Sequence, residues 1–351
     1  MSKAKSSPQP TGNRLYLGID LGTSRSAVCG SNGQRSWVSS YVGWPKDFVA
    51  RKALGAPVLF GEQATKSRLS LNLHRPLEHG VIKEGGKDEE AVGLLVEHLI
   101  SLAQPGEGQQ IYATVGVPAE SFKTNRIAIK RCLQDKVLAL MVVSEPFAVA
   151  YGKDLLDNAL VIDIGAGTID WCIMHGTVPG DDDQRTVTTA GDHLDSQLHK
   201  ALTDKFPKVS LNVNMARQFK ESFSFVGDPP EPVVVDMPVD GKATKHDITA
   251  EMRQVCESIM PAVIETTAEL ISRFDPEYQD AVRRNIILAG GGSQIRGLAR
   301  YIEREIGHYG PCKVKTVDDP LYSGAHGCLV LAKEMPTEYW EDAQERDEAA
   351  A

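Results

Sequence analysis

Two stretches of this chain place an aspartate, glycines and a hydroxyl side chain where an apolar strand ends. In Val161-Ile162-Asp163-Ile164-Gly165-Ala166-Gly167-Thr168-Ile169-Asp170, a run rich in β-branched residues delivers Asp163 to a turn of two glycines and a threonine. Apolar strand then resumes at Ile169, Trp171 and Ile173. Glycines at 165 and 167 remove Cβ atoms where the backbone must approach another group, and the Thr168 hydroxyl with nearby N–H groups suits an anion. Asp163, at the mouth of the turn, is suited to organise a metal ion or a water. The same device stands earlier as Leu17-Gly18-Ile19-Asp20-Leu21-Gly22-Thr23-Ser24. Strand–turn–strand, not strand–turn–helix, sets both apart from a dinucleotide fold. Two such turns far apart in one chain predict two half-domains facing one phosphate chain.

Three further stretches carry chemistry: the Ser144-Glu145-Pro146 bend, the triple glycine Gly290-Gly291-Gly292, and a helix containing Gly324 and Gly327. Each is weak evidence alone. Other phosphate devices fail: there is no G-x-x-x-x-G-K-[ST], and the triple glycine lacks both the third glycine at Rossmann spacing and a following acid for ribose. Cys172 and His175 have C-x-x-H spacing but no second pair, which leaves them short of a zinc site. Asp170 reads as a turn cap rather than a metal ligand.

The elements that must position these residues follow from periodicity and breakers. Residues 14–30 read as a hairpin, Asn32-Gly33 as a tight turn, and Trp37 to Val42 as a third strand. Val58 to Glu62 reads as a strand ending in a turn, with a helix from Gln63 to Leu71. Val92, Leu95, Val96, Leu99 and Ile100 give residues 88–104 an amphipathic helical face. Strands are expected at Ile111 to Val117 and Ala139 to Val143, with helices over 120–134 and 146–152. The second half repeats the plan. It has a strand pair over 158–175, helices around 194–206 and 212–224, a small β region from Val233, and one long helix over 249–274. A strand then feeds Gly290, with a helix from Ile295; the last strand is Lys313 to Val317 and the last helix Pro320 to Lys333.

A chain of 351 residues suggests about two domains. Its 38 basic against 47 acidic residues, net −9, argue against a nucleic-acid partner, which needs clustered Lys and Arg. Six scattered cysteines without a C-x-x-C pair read as reduced thiols of a cytosolic protein. MSKAKSSPQPTGN holds no apolar core, and no run approaches the ~20 apolar residues of a membrane span, so neither a signal peptide nor direct membrane insertion is expected. The acidic end from Glu338 reads as a solvated tail.

In this order and spacing, the five stretches match the phosphate 1, connect 1, phosphate 2, adenosine and connect 2 motifs of the actin-like ATPase superfamily. That superfamily also contains Hsp70 chaperones and sugar kinases, so fold alone does not name function. Phe60-Gly61-Glu62-Gln63-Ala64, followed by Leu71-Asn72-Leu73-His74-Arg75-Pro76-Leu77-Glu78-His79-Gly80-Val81, resembles actin itself. The likeness narrows to the bacterial actin-like proteins of the magnetosome cytoskeleton and runs from Arg14 to about Trp340. Outside the nucleotide motifs it includes Tyr41 to Asp47, Gly176 to Gly180, Phe223 to Gly227 and Pro336 to Trp340.

The resemblance implies an α/β, actin-like fold: two similar domains, each with a mixed five-stranded sheet flanked by helices, and a nucleotide cleft between them. It implies subdomain IA at 14–33, 74–155 and 327–351, IB at 34–73, IIA at 156–189 and 252–326, and IIB at 190–251. Gly22, Thr23 and Ser24 would hold the β-phosphate, and Gly165, Gly167 and Thr168 the γ-phosphate side. Asp20 and Asp163 would bind Mg2+ mostly through water. Glu145 corresponds to the acid or amide that positions the attacking water, with Asp163 beside it in the catalytic pair. Arg217, Lys220 and Glu221 would contact ribose and the adenine edge, and Gly290, Gly291, Gly292, Gln294 and Ile295 the α-phosphate and base. Glu145 before Pro146 also fits an ordinary helix N-terminal acid, and Lys220 with Glu221 a solvated helix face. His79 matches a histidine that actin methylates, where a structural hydrogen bond is the plainer reading.

The function implied is an Mg-dependent ATPase, binding ATP and ADP, that polymerises head-to-tail into cytoplasmic filaments aligning magnetosomes. This leaves room for magnetosome-associated adaptor proteins. A cell-shape actin of the MreB type is the nearer rival, but such proteins typically carry a membrane-inserting element that MSKAKSSPQPTGN does not offer. A small-molecule kinase would need an inserted substrate pocket, which 34–75 lacks. An Hsp70-type chaperone would continue into a peptide-binding domain, whereas this sequence ends shortly after Gly327.

Overall fold

The computed structural model describes residues 13–78, 80–82, 86–119, 122–229 and 231–342. His79 and most of the acidic tail lie outside them. The chain divides into two compact units: Met1–Asp154 with Leu321–Ala351, and Leu155–Pro320.

The first unit is built on a mixed sheet. Strand Arg14–Leu21 pairs antiparallel with Arg25–Gly30, which pairs antiparallel with Arg35–Ser39. On its other side Arg14–Leu21 runs parallel to Gln110–Val117, itself parallel to Ala139–Ser144. To these five expected strands Glu341–Asp342 adds a short antiparallel edge. The alternation of the first strand settles its two faces. Leu15, Leu17, Ile19 and Leu21 join the core with Val92, Leu95, Val96 and Leu99 of helix Gly86–Leu102. Gly18 and Asp20 therefore point the other way, toward helix Ser323–Glu334, where Ala325 closes on Ala27 and Cys29.

A small sheet, in the order Leu59–Phe60, Val42–Pro45, Leu71–His74, belongs to the same unit. Here the structure corrects two expectations. Helix Phe48–Leu54 forms where the sequence pattern predicts none; it buries only Ala50, so it has no apolar stripe, and its one legible signal is the Asp47 cap, which accepts from Ala50 N at 2.8 Å. The helix expected from Gln63 to Leu71 is Gly61–Lys66 plus a 3-10 turn Arg68–Ser70, because Leu71 is buried in the small sheet against Gly43.

The second unit repeats the strand path. Strand Asp157–Ile164 pairs antiparallel with Ile169–His175, and that with Gln184–Val187; on the other side it runs parallel to Ile286–Ala289, then Val314–Thr316. Leu160, Ile162, Ile164, Ile169, Trp171 and Ile173 line one face and fuse with helices Gly191–Lys205, Thr249–Glu257 and Met260–Ser272 into one core. The single helix expected over 249–274 is thus two. Pro261 occupies the first turn of the second helix, where its missing N–H costs nothing, but it cannot continue the first. The helix expected from Ile295 begins at Leu298, after a 3-10 turn Gly291–Gln294 and Gly297 at φ 84°.

Candidate functional site

In the first unit the turn after Asp20 is fastened by side chains. The Ser40 hydroxyl donates to the Gly22 carbonyl at 2.6 Å, Ser26 reaches the same oxygen at 3.4 Å, and the two hydroxyls lie 2.8 Å apart. Arg75 Nε donates to the Thr23 carbonyl at 2.8 Å. Carbonyls engaged from behind leave the amides of Gly22, Thr23 and Ser24 as the groups suited to an anion. Ser26, Ser40 and Arg75 are not among the site residues expected from the sequence; Ser26 and Ser40 fall as polar side chains in expected strands, and Arg75 only within the actin-like stretch before Pro76.

Asp20 lies under helix Ser323–Glu334, and glycine makes that approach feasible. A Cβ at Gly324 would collide with the Asp20 carboxylate, and one at Gly18 with the Ala325 carbonyl. Further along, a Cβ at Gly327 would land on the Ala148 carbonyl, and one at Gly152 would come to 2.7 Å from Gly327 Cα. The Gly324/Gly327 pair is therefore a packing device that lets one helix touch both Asp20 and helix Glu145–Gly152. Desolvation raises the Asp20 carboxyl from 3.8 to about 7, and no cationic side chain enters that shift.

Glu145 opens its helix with Pro146 in the first turn and is 9% exposed. It lies over Gly116: a Cβ there would meet Glu145 Cγ at 3.5 Å and Cys328 Sγ at 3.2 Å. The buried Cys328 thiol is pushed up by desolvation first, then by the charges of Asp20 and Glu145. Both acids thus converge on one buried thiol.

In the second unit the turn is held by backbone. Gly165 N donates to Thr168 O at 2.9 Å, Gly191 N to Gly165 O at 3.2 Å, and Asp192 N to Ala166 O at 2.7 Å. Asp163 is buried, and Gly290, at φ 71°, comes so close that a Cβ would strike Asp163 Oδ1 and the Ile164 carbonyl. Thr168 is buried in the turn. Asp170 is not a turn cap: it lies in the strand, one residue past its start and opposite Asp163, and accepts from the Thr186 hydroxyl on the neighbouring strand.

Lys220 and Arg217 stand on helix Val213–Phe223 and face helix Gly191–Lys205. Lys220 Nζ donates to the Gly191 carbonyl at 2.7 Å, and Arg217 contacts Asp195 at 2.7 Å and Asp192 at 3.0 Å. Lys220 is therefore no solvated residue, whereas Glu221 is exposed. The two aspartates were missed, since charges near a helix start read as solvated. Downstream, Val226 N donates to Arg296 O at 2.9 Å and Arg296 N to Ser224 O at 3.2 Å, stitching the end of that helix to the glycine loop. In the loop Gly291 and Gln294 are exposed and Gly292 packs on Ile164, while Ile295 is buried in the core. Cys172 is buried beside Met174, and His175 pairs with Asp183 at 3.4 Å. Among the described residues no group of three or more His, Cys, Asp or Glu is arranged to hold a metal, and no helix is long and apolar enough to cross a membrane.

Residues 14–339 match the family model described as MreB/Mbl protein. The chain is 43% identical over 329 residues to the actin-like protein MamK of Paramagnetospirillum magneticum, covering 93% of this chain and 95% of that one. The cell shape-determining protein MreB of Pasteurella multocida is 25% identical over 72% of this chain and 73% of its own. Among solved structures, a MamK double helical filament superposes with a TM-score of 0.90 at 43% identity, covering 92% of this chain and 100% of that chain. A non-polymerising MamK mutant bound to AMPPNP gives 0.73 at 43% identity, over 92% and 99% of the two chains.

Proposed function

The chain belongs to the MreB/Mbl family of actin-like proteins, and on that premise we propose that it is an ATPase that polymerises into filaments of the magnetosome cytoskeleton. The observation that carries this reading is the repeat of one device: in both sheets the strand with one antiparallel and one parallel neighbour carries an aspartate one residue before its end and runs into a glycine turn. The likeness to MamK filaments supports the polymer, and the AMPPNP-bound relative supports a nucleoside triphosphate as ligand.

In this reading Gly22, Thr23 and Ser24 hold the β-phosphate, and Gly165, Gly167 and Thr168 the γ-phosphate side. Arg217, Lys220 and Glu221, with Gly290 to Gly292, Gln294 and Ile295, serve ribose, base and α-phosphate. Asp20 and Asp163 serve Mg2+ mostly through water, as suits an ion that keeps most of its waters and takes few carboxylates. When bound, it neutralises phosphate charge. Glu145 orients and polarises the attacking water, a task for which one buried carboxylate suffices because phosphoryl transfer depends mainly on positioning. The proposal keeps the subdomain division IA 14–33, 74–155 and 327–351, IB 34–73, IIA 156–189 and 252–326, and IIB 190–251. It makes the filament a head-to-tail homopolymer in the cytoplasm, alongside magnetosome chains, with adaptor proteins of that organelle as further partners and no direct membrane insertion.

Electron microscopy of the purified protein with Mg-ATP, paired with phosphate release, tests the reading: filaments and slow release are expected, and monomers alone across a wide concentration range would remove it. The family name favours a second reading, a cell-shape MreB-type actin. Co-sedimentation of the filaments with anionic lipid vesicles would favour that reading.

A further inference from the structure

We infer that Asp195 is a positioning residue for nucleotide binding, anchoring Lys220 and Arg217 so that helix Val213–Phe223 presents these two cations preset and charge-compensated to the adenosine half of the ligand. This rests on the nucleotide reading above. Asp195 is 1% exposed, on the inner face of helix Gly191–Lys205 beside Leu194 and Leu198. A carboxylate is kept there only when its charge is met. Arg217 Nε meets Oδ2 at 2.7 Å, and the Lys220 ammonium stands 2.7 Å from Oδ1 as a charge contact without hydrogen-bond alignment. The aligned bond of Lys220 goes instead to the Gly191 carbonyl, and Arg217 also reaches Asp192.

Two cations and two carboxylates cancel. A site meant for phosphate keeps its cationic charge uncompensated, whereas this cluster suits uncharged ribose hydroxyls and a base edge. Its placement is also keyed to the phosphate turn. Gly191 and Asp192, which meet Lys220 and Arg217, donate their own amides to Gly165 and Ala166. One buried carboxylate thereby fixes the distance between the helix that serves adenosine and the turn that serves phosphate.

Asp195→Asn keeps shape and removes the charge. ADP and ATP affinity should each fall about tenfold, the scale of one charge-assisted bond, while inorganic tripolyphosphate, which lacks ribose and base, binds as it does to wild type. kcat should stay close to wild type as KM rises, because these contacts are present equally in ground and transition states. In an Arg217→Met, Lys220→Met background the Asp195→Asn effect on ADP should vanish. Arg217→Lys, which keeps the charge but loses the reach to both aspartates, covers the case in which Asp195→Asn fails to fold; it too should weaken ADP and spare tripolyphosphate. Equal loss of tripolyphosphate binding, or additive effects in the combined variant, would overturn the inference. Wild-type protein that binds no nucleotide would instead overturn the nucleotide reading itself.

Discussion

Asp20 and Asp163 end equivalent strands, each followed by a glycine turn, yet their surroundings are opposite. Asp20 has Ala27 as its cross-strand partner, sits under a helix admitted by Gly324, and is desolvated until its carboxyl titrates near 7. Asp163 has a second carboxylate, Asp170, across the ladder, and Asp170 is tied to Thr186. The first aspartate, half-buried beneath its helix, is desolvated in a way that favours its neutral form until a cation arrives; the second is buried beside Asp170, whose own hydrogen bond to Thr186 is already made. One backbone device, used twice, thus provides a site that gains from a counter-charge and a site that is rigid beforehand.

The largest test of that difference is kinetic. With Asp163→Asn or Glu145→Ala, ATP binding and assembly should persist while single-turnover phosphate release falls by roughly a hundredfold or more, the usual span for removing a positioned acid or base. Wild-type release from either variant would break the proposed roles.

Next in size is an effect of pH confined to the first unit. The folded-state pKa of Asp20 is raised from 3.8 to about 7, so between those values the native chain binds more protons than the unfolded one. The contribution of Asp20 to stability therefore declines as pH rises through this window and is gone above it, a loss of at most about 4 kcal/mol at about 1.4 kcal/mol per unit. Asp20→Asn should remove that decline, so the nucleotide-free variant should melt higher than wild type at pH 8 and nearly level with it at pH 4, while its response to Mg2+ is lost. A variant that melts lower than wild type at pH 8 would show that Asp20 is not held against desolvation.

Substituting the glycines that crowd the aspartates should cost less, and unequally. Gly324→Ala puts its methyl against a carboxylate that can shift, for about 1 kcal/mol. Gly290→Ala meets the Ile164 backbone as well as Asp163, at a φ of 71° that only glycine adopts freely, and should cost about 3 kcal/mol. Denaturant unfolding of the two variants measures the gap, and equal costs would contradict the view of the second site as the more rigid.

How much of this was legible depended on whether the cause was local. Both aspartate turns could be read because β-branched strands, glycines and a hydroxyl lie within one short stretch, and the parallel partner strands carry their own apolar runs. Gly18 and Gly152 gave no comparable signal, and Gly327, although marked by its motif, did not disclose its packing role, since each is explained by a segment distant in sequence. Asp192 and Asp195 were unreadable for a related reason: a charge on a helix reads as solvated until the facing helix supplies Arg217 and Lys220. The break at Pro261 was locally available and passed over, because the apolar spacing of Met252, Val255, Met260 and Val263 runs through it without a change of phase.

The smallest prediction separates the two turns by how they are held. The Gly22 carbonyl depends on two hydroxyls, whereas Gly165 and Ala166 are met by the amides of Gly191 and Asp192, which no side-chain truncation removes. Ser40→Ala deletes the 2.6 Å bond and should cost about 1 kcal/mol of unfolding free energy, the ordinary worth of such a bond. Ser26→Ala should cost less, because its own reach to that oxygen is 3.4 Å and Ser40 remains. The double variant should lose more than the sum, by about 0.5 kcal/mol or more, since each hydroxyl can cover for the other only while one is present. If the two losses simply add, the hydroxyls act separately and the first turn is no more dependent on its side chains than the second.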